Sequence, residues 1–180
     1  MRLCIIGYSG AGKSTLARAL GKVLDVPVLH LDAVHWLPGW QERPDEEGRA
    51  MVNNFLDRNG SWVIEGNYSA LCFDRRMAEA DKIIFLDLPR WLCFRRAFGR
   101  YLRYRGRTRT DMGPGCPEKF DLEFAWWLLW AGRGRRRRRA WEALFRRWPE
   151  KLILCRRADE AQAEAVLSRL GPGRTETTGR

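Results

Sequence analysis

The sequence predicts an α/β fold, a three-layer α/β/α sandwich around a parallel sheet, and two observations carry that prediction. Apolar strand-like runs alternate with helical periodicity along the whole chain, the pattern of a parallel sheet flanked by helices. The stretch Gly7-Tyr8-Ser9-Gly10-Ala11-Gly12-Lys13-Ser14-Thr15 follows the apolar run Leu3-Cys4-Ile5-Ile6 and matches G-x-x-x-x-G-K-[ST] between a strand and a helix.

Strands are expected near 2–6, 27–31, 61–65, 82–87 and 151–155, with helices near 13–24, 45–58, 69–79, 90–104, 118–131, 135–147 and 158–169. Pro27, Pro38, Pro44, Pro89, Pro114 and Pro149 fall at or between these elements, where a missing N–H does least harm. A chain of 180 residues suits one domain with a real core, here 1–170. Residues 171–180 contain no apolar side chain and are expected to be a disordered tail.

The glycine-rich stretch is a phosphate-binding loop. Glycines let the backbone curl so that the N–H groups of Gly10, Ala11, Gly12, Lys13, Ser14 and Thr15 face a phosphate chain; Lys13 reaches the outer phosphates and the Ser14 hydroxyl ligates magnesium. A chance match is opposed by the strand before it and by the helical pattern Leu16, Leu20, Val23, Leu24 after it.

No apolar run approaches the roughly 20 residues that cross a bilayer, and the first strand leads straight into the loop without a secretory signal, so a cytoplasmic protein is expected. Cys4, Cys72, Cys93, Cys116 and Cys155 are odd in number and lack a C-x-x-C pair, which opposes a disulfide framework and a zinc site. Of 33 basic residues only Lys13, Lys22, Lys82, Lys119 and Lys151 are lysine. The net charge of +11 is therefore arginine's work, concentrated in Arg90 to Arg109 and Arg133 to Arg147, and anionic partners are expected.

Ligands of open parallel sheets bind beyond the carboxyl ends of the strands. The residues there form a set: the loop, His30-Leu31-Asp32 with Trp36, Glu65-Gly66-Asn67-Tyr68, and Asp87-Leu88-Pro89-Arg90. Asp32 either binds an acceptor hydroxyl, as base or orienting group, or holds magnesium through water; the competing reading is a cap. Glu65 lies near the metal or the substrate, or is a solvated strand-end acid. Asp87 is expected mainly to cap the next helix. His30 and His35 read as packing or surface residues. Trp36 and Trp40 sit in a turn-rich segment where rings either enclose an acceptor or fill the core.

Arg96 and Arg100 are one helical turn apart, and Arg105-Gly106-Arg107-Thr108-Arg109 leads to the Gly113-Pro114-Gly115 turn. That is the composition of a lid, about 101–117, folding over phosphates; Arg105, Arg107 or Arg109 would stabilise charge on a transferring group. A solvated basic helix competes. Phe120, Phe124, Trp127 and Leu128 recur at helical spacing and are expected in the core. Arg135 to Arg139 wrap all sides of a helix, so solvated charge is the leading reading and nucleic acid is a secondary partner.

These residues resemble the adenylate kinase-like phosphate-loop kinases, through Gly7 to Thr15 and through Phe85-Leu86-Asp87-Leu88-Pro89 followed by Arg96 and Arg100. A narrower resemblance, to the proteins labelled DNA topology modulation proteins, rests on His30-Leu31-Asp32, Trp36 to Trp40, Trp62 to Tyr68 and Gly115 to Phe124. The resemblance implies a nucleoside monophosphate kinase type of fold, with sheet order 2-3-1-4-5 and a mobile lid between the fourth and fifth strands. It also implies that Arg96 packs on adenine and Arg100 on phosphates. The D-G-F-P-R segment that holds AMP in adenylate kinases is replaced by Glu65-Gly66-Asn67-Tyr68-Ser69, which opposes adenylate kinase activity.

The sequence thus points to an ATP-dependent kinase using ATP and Mg2+ on a small hydroxyl- or phosphate-bearing acceptor. Lys13, Asp32 and the lid arginines are its candidate catalytic residues, and Asp32, Trp36, Glu65, Asn67 and Tyr68 its candidate acceptor site. The rival reading is a nucleic-acid-associated ATP-binding protein that uses the arginine clusters. The acceptor, a preference for ATP over GTP, and the oligomeric state stay open.

Overall fold

The computed structural model describes residues 1–170; the tail expected over 171–180 lies outside the described residues. Along the chain run β1 (Arg2–Gly7), α1 (Lys13–Leu24), β2 (Val28–His30), α2 (Leu31–His35), β3 (Trp36–Leu37), β4 (Gln41–Glu42), α3 (Asp45–Arg58) and β5 (Trp62–Glu65). Then come α4 (Phe73–Glu79), β6 (Lys82–Leu86), α5 (Arg90–Tyr104), α6 (Leu122–Leu129), α7 (Arg135–Arg147), β7 (Leu152–Cys155) and α8 (Ala163–Leu170).

Five strands form one parallel sheet in the order β2-β5-β1-β6-β7. Counted among themselves these strands run 2-3-1-4-5, the order expected. Alternation along β1 divides the core, because successive side chains of a strand point to opposite faces. Leu3 and Ile5 pack with Leu16, Ala17 and Leu20 of α1, Cys93 and Ala97 of α5, and Val166 of α8. Cys4 and Ile6 pack on the other face with Val34 of α2, Val52 and Leu56 of α3, Met77 of α4, and Trp141 and Leu144 of α7. Each such fully buried aliphatic side chain is worth about 1.5–3 kcal/mol, which is why the apolar runs of the sequence located the sheet.

The connections differ from expectation. Leu31, read as the last residue of a strand, opens the short helix α2, and the turn-rich segment is an antiparallel ribbon of β3 and β4 with Gly39 and Trp40 both at positive φ. Two-residue strands are too short to show an alternation. Helices expected from 69 and 118 begin at Phe73 and Leu122. In the second case the Asp121 side chain accepts from the Phe124 N–H at 2.7 Å and fixes the start. Asp87 does not cap α5, which begins after Pro89 without a side-chain cap; its carboxylate instead faces Arg133 at 3.9 Å.

Of the expected core stripe on α6, Leu128 is buried while Phe120, Phe124 and Trp127 are half-buried at its margin; Trp126 and Trp130 are exposed and stacked at 4.8 Å. All five cysteines are free thiols, and burial pushes that of Cys4 up to about 12.

Candidate active site

The loop between β1 and α1 is shaped by positive φ angles at Gly7, Gly10 and Gly12. A Cβ on Gly10 would run into the Cys93 carbonyl of α5, so only glycine fits there. Gly12 precedes α1 without a side-chain cap, leaving the helix's first N–H groups for an anion. Lys13 folds back, its Nζ donating to the Tyr8 carbonyl at 3.3 Å. From behind, the Arg133 guanidinium lies 3.8 Å from the Tyr8 ring centroid and donates to the Leu88 carbonyl at 2.6 Å, a support the sequence did not reveal.

Asn67, expected on the acceptor, stands elsewhere. The Gly7 N–H donates to its Oδ1 at 3.0 Å and its Nδ2 donates to the Gly7 carbonyl at 2.7 Å. Both halves of the amide are spent on pinning the first residue of the loop, so Asn67 shapes the loop instead of meeting an acceptor. Arg96 donates to the Ala11 carbonyl at 2.9 Å. It therefore braces the loop and is not turned out as a platform for adenine.

A cleft of about 1460 Å³ runs from the loop to the ends of β2 and β5, lined by Gly10 to Thr15, Asp32, Trp36, Trp40, Glu65, Tyr68 and the segment after α5. At its far end Trp36 Nε1 donates to the Tyr68 hydroxyl at 3.2 Å, and that hydroxyl donates to Asp32 Oδ1 at 2.7 Å. Burial and the nearby Glu65 push the Asp32 carboxyl above its ordinary value, against the Tyr68 hydrogen bond and the charges of Lys13 and Arg109. Burial and the Asp32 charge likewise push the Tyr68 phenol up, so it stays a donor. Glu65 is only 1% exposed, and its Oε1 lies 2.9 Å from His30 Nδ1. These two are register partners on β2 and β5, so His30, read as a packing or surface residue, touches the site only through Glu65.

The segment beyond α5 closes the cleft from above. The Gly39 N–H donates to the Gly115 carbonyl at 3.0 Å and Trp40 Nε1 donates to the Pro117 carbonyl at 3.2 Å, docking the segment on the β3-β4 ribbon. Of the three lid arginines only Arg109 reaches inward, with a side chain 9% exposed; Arg105 and Arg107 are exposed and line no part of the cleft. Flanking residues decide this, because the buried Asp111 and Glu118 hold Arg109 at 2.9 and 2.6 Å. Glu118 also takes Arg100 at 2.7 Å, so that guanidinium is tied to the lid.

Asp111 escaped the sequence reading. It pairs with Arg18 at 3.2 Å. Burial alone would push its carboxyl up, but Arg109, the Ser14 hydroxyl and Arg18 together hold it below the ordinary value. Among the described residues no group of three or more His, Cys, Asp or Glu side chains is placed to hold a metal ion. No helix among the described residues is long and apolar enough to cross a membrane.

A parallel sheet of this order, with a glycine-rich loop at the end of its central strand, is a fold shared with solved shikimate and deoxyadenosine kinases. A shikimate kinase from Acinetobacter baumannii solved with shikimate superposes with a TM-score of 0.54 at 15% identity, covering 93% of this chain and 88% of that one. A deoxyadenosine kinase from M. mycoides gives 0.51 at 13% identity, covering 94% and 98%.

By sequence, the chain belongs to the family of YqaC from Bacillus subtilis, a protein of uncharacterised function, at 34% identity over 125 residues, 67% of this chain and 68% of YqaC. It is also 31% identical over 109 residues to a shikimate kinase of Bacteroides fragilis, spanning 53% of this chain and 61% of that enzyme's length. No protein-family model matches it.

Proposed function

We propose that the protein is an ATP-dependent kinase of a small hydroxyl-bearing acceptor. One observation carries this reading: the phosphate loop and Asp32 line the same cleft, and Asp32 is held at its far end by the Tyr68 hydroxyl at 2.7 Å. The loop amides of Gly10 to Thr15 and Lys13 would bind the β- and γ-phosphates, Lys13 exchanging the Tyr8 carbonyl for phosphate oxygen. Ser14, with Asp111 behind it, would hold the magnesium ion that neutralises phosphate charge when bound. Arg109 would stabilise charge at the transferring group once the lid pairs loosen.

In the transfer the acceptor hydroxyl oxygen forms a bond to the γ-phosphorus. The bond to the bridging oxygen breaks, and its electron pair leaves with ADP. The hydroxyl proton passes to the free oxygen of Asp32, a carboxyl whose proton affinity is raised by burial and by the nearby Glu65. The homologous kinases support the reaction class, and the narrower resemblance to DNA topology modulation proteins adds no chemistry to it.

The test is ATP consumption with a panel of hydroxyl compounds. Lys13→Ala should abolish it with the fold intact, and Asp32→Asn should abolish transfer while nucleotide still binds. Unimpaired turnover in either variant overturns the assignment.

A further inference from the structure

The Asp32 end of the cleft has a chemical character of its own. Glu65 is buried and spends Oε1 on His30, while its Oε2 has no hydrogen-bond partner among the described residues. Asp32 gives Oδ1 to Tyr68 and keeps Oδ2. Both carboxylates line the same cleft. Its walls are aromatic: Trp36 and Trp40 meet edge to face at 5.4 Å, and Tyr68 lies beside them through its hydrogen bond to Trp36.

Most of the cleft's cations already have partners of their own, although the charges of Lys13 and Arg109 also reach Asp32. Arg18 and Arg109 pair with Asp111, Arg100 and Arg109 pair with Glu118, Arg96 serves the Ala11 carbonyl, and Lys13 belongs to the loop. Arg103 and Lys119 approach from α5 and the lid. Lys119 Nζ already sits 5.3 Å from the Trp40 ring centroid, so a face of that indole accepts an ammonium group. Bound triphosphate would draw on the same loop and lid cations and leave the carboxylates more strongly negative.

We propose that the acceptor is a hydroxyl compound carrying a positive charge, an amino alcohol or its quaternary ammonium equivalent, seated between the carboxylates of Asp32 and Glu65 and the rings of Trp36, Trp40 and Tyr68. This rests on the kinase reading above and deepens it. Asp32 takes the hydroxyl, and Glu65 and the rings take the cation, which is a spectator in the transfer. Repulsion between the carboxylates, which contributes to the raised pKa of Asp32, is relieved when a cation enters. An acidic acceptor seated at this end would meet the carboxylates of Asp32 and Glu65.

The experiment measures binding of choline, ethanolamine, shikimate, deoxyadenosine and 3,3-dimethylbutan-1-ol, the neutral isostere of choline, to the ADP-bound protein by calorimetry and tryptophan fluorescence. Choline should bind about tenfold or more tightly than its isostere, and Glu65→Gln should erase that ratio without changing affinity for the isostere. Equal binding of the isosteric pair by the unmodified protein, tighter binding of shikimate or deoxyadenosine, or no binding of either cation overturns the proposal. ATP consumption keeps the two readings apart. Lys13-dependent turnover with a neutral or acidic acceptor leaves the kinase standing and removes the cation site. Charge-selective binding without Lys13-dependent turnover does the reverse.

Discussion

The Tyr68 hydroxyl donates to Asp32 Oδ1 at 2.7 Å while accepting from Trp36 Nε1 at 3.2 Å, so one phenol fixes both the carboxylate and the ring of the acceptor end. Tyr68→Phe leaves both partners unsatisfied at the cost of about 1–3 kcal/mol for the lost network. Because Asp32 loses its orientation, kcat/KM should fall about tenfold to a hundredfold, read by steady-state kinetics. Retained kinetics would mean that Asp32 is positioned by something else.

Asp32 is expected to be stabilising when neutralised. Its carboxyl is raised above the ordinary value of 3.8, so as pH rises past 3.8 the unfolded chain ionises first and the folded state loses stability until its own higher pKa is passed. Asp32→Asn should therefore raise Tm at pH 7 to 8 while abolishing transfer, and the gain should vanish below about pH 3.8. Thermal melting at the two pH values checks this, and a lower Tm at neutral pH contradicts it.

Glu118 holds two guanidiniums, Arg100 at 2.7 Å and Arg109 at 2.6 Å, from a side chain only 4% exposed. Glu118→Ala leaves both without this partner and should destabilise the lid's docking by about 2 kcal/mol, less than for a fully buried pair because Arg100 is partly solvated. Faster hydrogen exchange over 105–121, with the sheet unaffected, is the expected signature.

Gly10 combines positive φ with a backbone carbonyl where a Cβ would sit. Gly10→Ala should cost about 1–3 kcal/mol and weaken nucleotide binding, since the loop must move away from α5 to relieve the contact. Calorimetric titration with ADP and a denaturant melt measure the two effects.

Arg135, Arg136 and Arg139 are exposed on α7 and line no part of the cleft. Changing all three to Gln should leave ATP turnover within about twofold of the parent while flattening any salt dependence of nucleic-acid binding. Loss of turnover would instead favour the arginine-cluster reading of the whole protein.

The sheet, its flanking helices and the phosphate loop were legible in the sequence because each is written locally. β1 and β6 are continuous apolar runs, α1, α3, α5 and α7 repeat apolar residues at helical spacing, and the loop is a contiguous motif. Asp32, Trp36, Glu65 and Tyr68 could be grouped from the sequence, and line one cleft, because the ends of parallel strands share one rim. Asn67 lies on the same rim, yet it turns to the Gly7 backbone 60 residues away, a pairing that strand-end logic does not contain. Arg105, Arg107 and Arg109 were equivalent in sequence. They separated only when Asp111 and Glu118 were brought in by the lid's contacts with the β3-β4 ribbon.

By itself, then, the sequence determined the alternation of strands and helices, the glycine-shaped loop at Gly7 to Thr15 and the presence of carboxylates at the rim, because backbone sterics and burial periodicity act over a few residues; the sheet order was implied only by the family resemblance. Tertiary structure decided which side chains reach the cleft, which arginine turns inward, and how Tyr68 aims Asp32. Hydrogen bonds and ion pairs between residues distant in the chain are chosen by geometry, and that geometry exists only once the layers have packed.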